Sequence, residues 1–288
     1  MKAIAALLIL LATGAAYAQT TPDMRQSEQA AAWDAAAQAA TAGPAAITLV
    51  DQATLDLPRG MAFIPKAEAY RWSRSVGNTP GDDQIGIVTT LGNEEWIVSV
   101  RWVPDGYVRD DEARDMKPDE VLANLRDGAE EANKDRSARG FPELELTGWV
   151  QPPSYDAATH QLQWALGVQR KGQPDASSIN LNTRALGRDG YLSLNLVTSR
   201  NEIAQYRPVA GKLLAGLQYN EGKRYADFNG STDRIAEYGL LGLIGVVAAK
   251  KLGLIALAGV FVLKFAKVGL LALAGIGLTA RRLLRRQS

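Results

Sequence analysis

Residues 84–103, with the sequence QIGIVTTLGNEEWIVSVRWV, decide the fold. Two runs in this stretch alternate with the period of a β-strand, and the Gly92-Asn93-Glu94 segment between them is typical of a hairpin turn. Trp96, Val98, Val100 and Trp102 fall on one face of the second run. The stretch therefore predicts an antiparallel hairpin with one face buried against a core.

Working outward, the same alternation predicts further strands at 47–50, 53–57, 61–64, 144–150, 160–169, 178–186 and 191–197, with a short last one at 217–219. Helices are predicted at 66–76, from Pro118 to Gly140, and at about 202–216, because each has an amphipathic stripe and a recognisable start or stop. Strands in consecutive hairpins interrupted by helices predict an α+β fold. We expect a mainly antiparallel sheet with two or three packed helices, followed by carboxy-terminal membrane helices.

Both ends of the chain indicate export and membrane attachment. Residues 1–18 combine Lys2, an apolar stretch and the small residues of Ala16-Tyr17-Ala18, which is typical of a secretory signal peptide. From Tyr238 to Ala280 nearly every residue is apolar or Gly, and four arginines follow within 281–288. The predicted order is a signal peptide (1–18), an Ala-rich helix and linker (19–46), an exported α+β domain (47–230), a juxtamembrane amphipathic helix (231–251), a transmembrane anchor (252–280) and a basic cytoplasmic tail (281–288).

The number of membrane spans stays open. Lysines cut the tract into apolar pieces of 12, 12 and 13 residues, 238–249, 252–263 and 268–280. Each piece is too short to cross about 30 Å at 1.5 Å per residue, so at least two must join. The basic residues expected to anchor the chain at the lipid headgroups are Lys250, Lys251, Arg281, Arg282, Arg285 and Arg286.

Charge and composition exclude several classes of function. Nine of the 32 basic residues, Lys2 and eight beyond residue 249, lie outside the body of the chain, whereas all 31 acidic residues lie inside it, so the body carries about −8. An acidic body disfavours nucleic-acid binding. The chain has no cysteine and a single histidine, His160, which excludes disulfides, cysteine metal sites and thiol nucleophiles. We expect no cofactor.

Three acidic residues are the weak candidates for a catalytic or metal site. The run from Asp105 to Glu112 contains Asp105, Asp110 and Asp111, whose oxygens suit Ca²⁺ or Mg²⁺ or an acid/base pair. The spacing is not that of an EF-hand loop, and a solvated loop before the helix at Pro118 is the favoured interpretation. His160 is expected at a hairpin tip, exposed to solvent. Tyr225 and Phe228 are expected in a connecting loop or at the lipid headgroups.

Several long blocks carry a family resemblance. Residues 57–78 (LPRGMAFIPKAEAYRWSRSVGN), 95–111 (EWIVSVRWVPDGYVRDD), 147–164 (TGWVQPPSYDAATHQLQW), 180–197 (NLNTRALGRDGYLSLNLV) and 220–233 (NEGKRYADFNGSTD) resemble, in this order, the bacterial family of uncharacterised membrane-anchored proteins known as domain of unknown function 2167. The resemblance implies an exported, carboxy-anchored protein and brings no catalytic residue. The helix-then-strand ending also resembles the PsbP/Mog1-like α+β fold.

The sequence thus predicts a protein of the bacterial cytoplasmic (inner) membrane that presents a binding or interaction domain in the periplasm. Its expected partners are the lipid bilayer and either another envelope protein or a second copy bound through the membrane helices. Two alternatives stay open. One is a metal-dependent or acid/base hydrolase that uses the acidic loop 105–115, and the other is an oligomeric membrane channel or stress component.

Overall fold

A computed structural model describes residues 22–92, 94–114 and 116–244 of the 288-residue chain. The helices there are α1 (Pro22–Ala39), α2 (Lys66–Ser75), α3 (Pro118–Ala138), α4 (Ile203–Ala215) and α5 (Leu240–Ile244), with short 3-10 helices at Asp111–Arg114 and Tyr225–Asp227. The strands are β1 (Thr41–Ala42), β2 (Ala45–Leu49), β3 (Ala53–Leu57), β4 (Met61–Pro65), β5 (Gln84–Thr90), β6 (Trp96–Val103), β7 (Leu144–Asp156), β8 (Gln161–Arg170), β9 (Gln173–Leu186), β10 (Tyr191–Ser199) and β11 (Leu217–Tyr219). The predicted antiparallel-rich α+β class is confirmed.

An eight-stranded sheet in the order β1-β4-β5-β6-β10-β9-β8-β7 forms the centre of the fold, and every pair in it is antiparallel. A three-stranded sheet, β11-β3-β2, packs beside it. The predicted hairpin is β5–β6, and β10 then pairs along the far side of β6 from Tyr191 opposite Val103 to Thr198 opposite Trp96. This register fixes which side chains share a face, because successive residues of a strand point to opposite sides.

The main core lies on one face of the large sheet. Trp96, Val98, Val100 and Trp102 are buried there with the leucines of β10, under α4 and the small sheet. The alternation of large apolar residues with polar ones in β6 and β10 explains this directly, because only one face of each strand then loses its contact with water.

The opposite face of the sheet is covered at its two ends. Near β4 and β5, α2 packs with Ala69 and Trp72 against Ile64 and Ile87, and α1 packs on α2. At the other end α3 packs on β7, and the loop before α3 joins the carboxy-terminal segment over Leu162, Trp164 and Leu166. Between these two caps the middle of the face stays open. That opening positions the principal candidate site.

The segment that leads toward the apolar tract belongs to the second cap as far as it is described. Leu240 and Leu243 of α5 have no exposed surface and lie in one cluster with Val108 and Val121. Among residues 22–92, 94–114 and 116–244, no helix combines the length and apolarity needed to cross a bilayer. The predicted signal peptide, the anchor at 252–280, the basic tail and the six anchoring basic residues lie outside the described residues.

Local differences from the predicted elements have simple causes. Pro65, which lies between the strand predicted at 61–64 and the helix predicted at 66–76, is the last residue of β4 and caps α2 with an extended backbone. The Ala-rich segment forms the 18-residue helix α1, whose Ala32 and Ala36 are fully buried. Small side chains let α1 approach α2 closely, so low amphipathicity in the sequence does not prevent packing.

Candidate functional site

The acidic loop spreads its carboxylates apart. Gly106 has φ +95°, and a Cβ there would lie 2.6 Å from the carbonyl oxygen of Arg234, so the loop passes that backbone only with glycine. Asp105 accepts a hydrogen bond from the hydroxyl of Tyr238, whereas Asp110 accepts one from Tyr155 at 2.7 Å. Asp111 is exposed to solvent. The three predicted carboxylates therefore face different surroundings, and within the described part of the chain no three His, Asp or Glu side chains gather into a possible metal site.

Asp110 belongs to a group we name the tyrosine cluster, formed by Asp110, Tyr155, His160, Tyr225 and Tyr107. The Tyr155 hydroxyl donates to Asp110, and its oxygen lies 3.2 Å from Nδ1 of His160. The His160 ring packs on Tyr225 with centroids 4.2 Å apart, and Tyr225 stacks on Tyr107 at 4.4 Å. Five side chains from three separate segments thus hold one another in place.

His160 does lie in the β7–β8 turn, as predicted, and its φ of +52° is one that histidine tolerates there. Its side chain is partly exposed to solvent, at 33%, because one face of the ring packs on Tyr225. Tyr225 lies in neither a free loop nor a headgroup contact: it is 7% exposed and donates to the carbonyl of Val108 at 2.8 Å. The packing of His160 on Tyr225 and the hydrogen bond from Tyr225 to Val108 join residues 65 and 117 positions apart, so local sequence pattern did not reveal either contact.

The tyrosine cluster favours protonated phenols. Burial raises the pKa of Tyr155 far above its usual value, and the hydrogen bond to the Asp110 carboxylate raises it further. Burial also raises the pKa of Tyr225. A phenol that stays protonated is a hydrogen-bond donor and not a base. The chain from Asp110 through Tyr155 to His160 therefore mainly ties the β7–β8 turn to the acidic loop.

A second site crosses the open middle of the sheet, and we call it the polar groove. It encloses about 500 Å³ over β5, β6, β10, β9 and β8. Its walls are Trp72 and Ser73 of α2, the loop Asn78–Pro80, and Leu144 at the start of β7. Its floor carries amide, hydroxyl, guanidinium and apolar side chains: Gln84, Ile87, Ile97, Ser99, Arg101, Val168, Gln169, Arg170, Ser178, Asn180, Asn195 and Val197.

Contacts between α3 and α2 fix the rim of the polar groove. Arg136 and Arg139 at the end of α3 donate to the carbonyl of Gly77 at 2.9 and 3.1 Å. Asn133, which is 3% exposed, both donates to the carbonyl of Leu144 and accepts from its amide, each at 2.8 Å. The two walls of the groove are thereby bonded to each other through α3.

The floor keeps several polar side chains without protein partners. Among the described residues, the side chains of Ser99, Asn180, Asn195 and Arg170 make no hydrogen bond or ion pair. The Oδ1 atom of Asn195 is fully buried as well. An unpartnered buried polar group destabilises a protein by about 1–3 kcal/mol, so the Oδ1 atom of Asn195 does not stabilise the fold, and the other three side chains are free to bond to water or to a ligand.

Arginines dominate the charge around the groove. Arg101 forms an ion pair with Asp83 at 2.6 Å, whereas Arg170 is exposed on the floor. One strand beyond Ser193, Arg184 lies 4.8 Å above the Trp164 ring, donates to Ser193 at 2.7 Å and has a buried Nε with no partner. Burial lowers the Arg184 pKa to about 10, which leaves the guanidinium charged at neutral pH. Among the described residues, Arg170 is therefore the cationic side chain of the groove lining that has no ion-pair partner, whereas the charge of Arg101 is balanced by Asp83.

The sequence analysis did not predict the polar groove, because alternation of polar and apolar residues does not show what covers the polar face of a sheet. The signal was present: Ser178, Asn180 and Asn182 in β9 align with Ser199, Val197 and Asn195 in β10, and Asn195 aligns with Ser99 in β6. Polar residues in register on three adjacent strands form a continuous polar patch across a sheet. Only the positions of α2 and α3 turn that patch into the floor of a groove.

The described chain is thus an antiparallel α+β domain with a polar ligand-sized groove. It belongs to the family described as protein of unknown function DUF2167, whose model matches residues 41–274. This confirms the resemblance found in the sequence. No curated protein matches the chain.

Solved structures show weak similarity. The cyanobacterial PsbP of Synechocystis is 11% identical with a TM-score of 0.37, covering 63% of this chain and 91% of its own. The Ran-binding protein Mog1p of Saccharomyces cerevisiae is 13% identical with a TM-score of 0.32, covering 62% and 96%. A protein of unknown function from Pseudomonas aeruginosa, PA94, described as a putative regulator, is 12% identical with a TM-score of 0.24, covering 58% and 91%. Such low scores carry no argument about this chain.

Proposed function

We propose that this protein is a membrane-attached envelope protein whose exported domain binds a ligand in the polar groove. The observation that carries the proposal is the floor formed by Ser99, Asn180 and Asn195, whose polar side chains make no protein hydrogen bond although they lie between two apolar caps. Binding sites are typically concave, partly apolar and supplied with a few such polar groups. The groove has this composition.

A catalytic function is the second candidate, and one observation favours it. Asp110, Tyr155 and His160 form a hydrogen-bonded chain of groups that can exchange protons. The position of these residues does not favour catalysis, because the His160 ring is packed against Tyr225 and none of the three residues lines the groove. The hydrolase that would use Asp105, Asp110 and Asp111 together has less support, because Asp105 and Asp110 bond to different tyrosines and Asp111 faces solvent.

The binding proposal is tested by photocrosslinking in intact cells. A photoreactive amino acid replaces Thr79, an exposed residue on the groove wall, in the full-length chain, and a matched chain carries it at Arg59, which is exposed in the turn after β3. We expect a covalent adduct of defined mass from position 79 and none from position 59. Equal labelling at both positions, or none at either, would contradict the proposal.

Membrane attachment rests on the predicted signal peptide, the apolar tract from Tyr238 and the basic tail 281–288. A reporter active only outside the cytoplasm is fused after Ile244 in one chain, so that Leu240 and Leu243 keep their packing, and after Ser288 in another. We expect activity only from the first fusion. An active second fusion would mean an even number of spans, and an inactive first fusion would mean that the body is not exported.

We further propose the lipid bilayer as one partner and another envelope protein, or a second copy bound through the membrane helices, as another. The oligomeric channel or stress component would be built by the lysine-bearing tract beyond residue 249, which lies outside the described residues. Crosslinking from position 79 distinguishes a protein from a small molecule bound in the groove, because the two adducts differ in mass.

A further inference from the structure

We propose that the ligand of the polar groove is an extended, hydroxyl-rich anion of the acidic oligosaccharide class. The inference rests on the proposed binding function and goes one step further, to the chemistry of what is bound. Its structural basis is the pairing of an unpartnered amide floor with arginines at both ends of the groove.

The arginines define an elongated electropositive site. Arg101 is in register with Ser193, Arg184 and Leu162 across four strands. Arg170 lies eight residues further along β8 than Leu162, which corresponds to about 27 Å along the strand direction before the two side chains reach inward. Both arginines line the groove, and no acidic side chain does so among the described residues, but Arg101 is paired with Asp83 whereas Arg170 is not paired. A ligand that reaches both must be long, and negative charge on it is favoured most strongly at the Arg170 end.

The floor selects hydroxyl groups. An amide such as Asn195 offers one donor group and one acceptor, and its buried Oδ1 has no partner. A hydroxyl both donates and accepts, so it satisfies this amide in either orientation of the side chain, whereas a carboxylate or a phosphate dianion only accepts. Ser99 and Asn180 continue the same chemistry on the neighbouring strands. A chain of hydroxyl-bearing rings matches this row of groups.

Apolar side chains beside the polar row suit the C–H faces of sugar rings. Ile97 and Val197 lie in register on β6 and β10 between the polar residues, and Trp72 forms part of the facing wall. Such a mixture of aromatic, aliphatic and amide groups recognises a ligand that is apolar on its ring faces and polar at its edges.

Other extended ligands fit less well. A peptide strand binds by adding to an exposed sheet edge, but the groove crosses the middle of five strands, where the backbone groups already pair with one another. An acyl chain would leave the amide floor unpartnered. The acidic saccharide satisfies the charge, the hydroxyl preference and the shape together.

The test uses the full chain in a sugar-free detergent and three probes that separate charge from hydroxyl content. Trigalacturonic acid has the charges and the hydroxyls, its methyl ester has the hydroxyls alone, and tricarballylate has the charges alone. Affinities are measured by titration calorimetry at low salt. We expect the acid to bind, and each of the other two probes to bind at least about tenfold more weakly, because a charge-assisted hydrogen bond contributes roughly that factor.

Two variants and a control locate the effect. Arg170→Gln should weaken the binding of the acid at least about tenfold and leave the binding of the ester unchanged. Asn195→Leu should weaken the binding of both probes. Arg200→Gln, an exposed arginine outside the groove, should change neither. Asn195→Leu also has a readout that does not depend on ligand: because it removes a buried polar atom without a partner, the variant should melt at the same temperature as wild type or higher.

The outcomes separate the inference from the function on which it rests. If the ester binds as tightly as the acid and Arg170→Gln has no effect, the anionic class is wrong and the groove binds neutral saccharides. If tricarballylate binds as tightly as the acid, the hydroxyl requirement is wrong. If no probe binds at about 1 mM, the saccharide class fails, and the crosslink from position 79 still decides whether the groove binds a ligand.

Discussion

Leu243→Ala is the most informative single change, because it asks whether the start of the apolar tract belongs to the folded domain or to the membrane. Leu243 lies in α5 and has no exposed surface. It is buried in one cluster with Val108 of the acidic loop, Val121 of α3 and Tyr225. In an interfacial helix the same leucine would face lipid, and its truncation would leave the domain unaffected.

The expected loss follows from the burial. Replacing a fully buried leucine by alanine destabilises a protein by about 2–5 kcal/mol, through lost transfer free energy and the cavity that remains. For a domain of about two hundred residues, each kcal/mol lowers the melting temperature by about 2–4 °C. A central value of about 3 kcal/mol therefore predicts a decrease of about 6–12 °C.

The assay is a thermal melt of the full chain in detergent, followed by near-ultraviolet circular dichroism of the tryptophans of the sheet. Leu241→Ala is the matched control, since Leu241 has the same residue type in the same helix but is partly exposed. We expect the control to lower the melting temperature by no more than about 4 °C, corresponding to about 1 kcal/mol. Equal effects of the two changes, or a decrease below 2 °C for Leu243→Ala, would refute the packing of α5 on the domain.

Two further predictions concern single contacts. Asp110→Ala should reduce the free energy of unfolding by about 1–3 kcal/mol in urea titrations, because it leaves the Tyr155 hydroxyl without its carboxylate acceptor. The control Asp111→Ala, at an exposed position, should change the free energy of unfolding by no more than about 0.5 kcal/mol. Similar values for both variants would contradict the tyrosine cluster. Arg188 donates twice to Asp233, at 2.7 Å each, and holds the pKa of that carboxyl well below its usual range. A pKa lowered in the folded state stabilises the protein above the unfolded value of about 4, and this stabilisation is lost as the pH falls below it. Stability profiles between pH 7 and 2 should therefore fall more steeply for wild type than for Asp233→Asn, and parallel profiles would rule out this linkage.

Much of the fold follows from local pattern. The β5–β6 hairpin, the strands from Leu144 to Ser199 and helix α3 all have strong periodicity bounded by turn residues, and each occurs where the sequence predicts it. The packing of helix α1 is harder to predict from the sequence, because its alanines carry no amphipathic signal and its contact with α2 depends on close approach alone. Local propensity also gave no sign that α5 would pack against a loop more than a hundred residues earlier in the chain.

The sequence by itself determined the fold class, the family and the alternation that buries one face of the sheet, because these depend on residues close together in the chain. Only the tertiary structure decided the sites. Asp110 meets Tyr155 and His160 across at least 45 residues, and the polar groove needs α2 and α3 at opposite ends of one sheet face. Alternation assigns a side chain to a face of a strand, but it does not say whether water, a helix or a ligand covers that face. That difference is set by the packing of distant elements, and it makes Asn195, an ordinary polar strand residue by sequence, part of the floor of the polar groove.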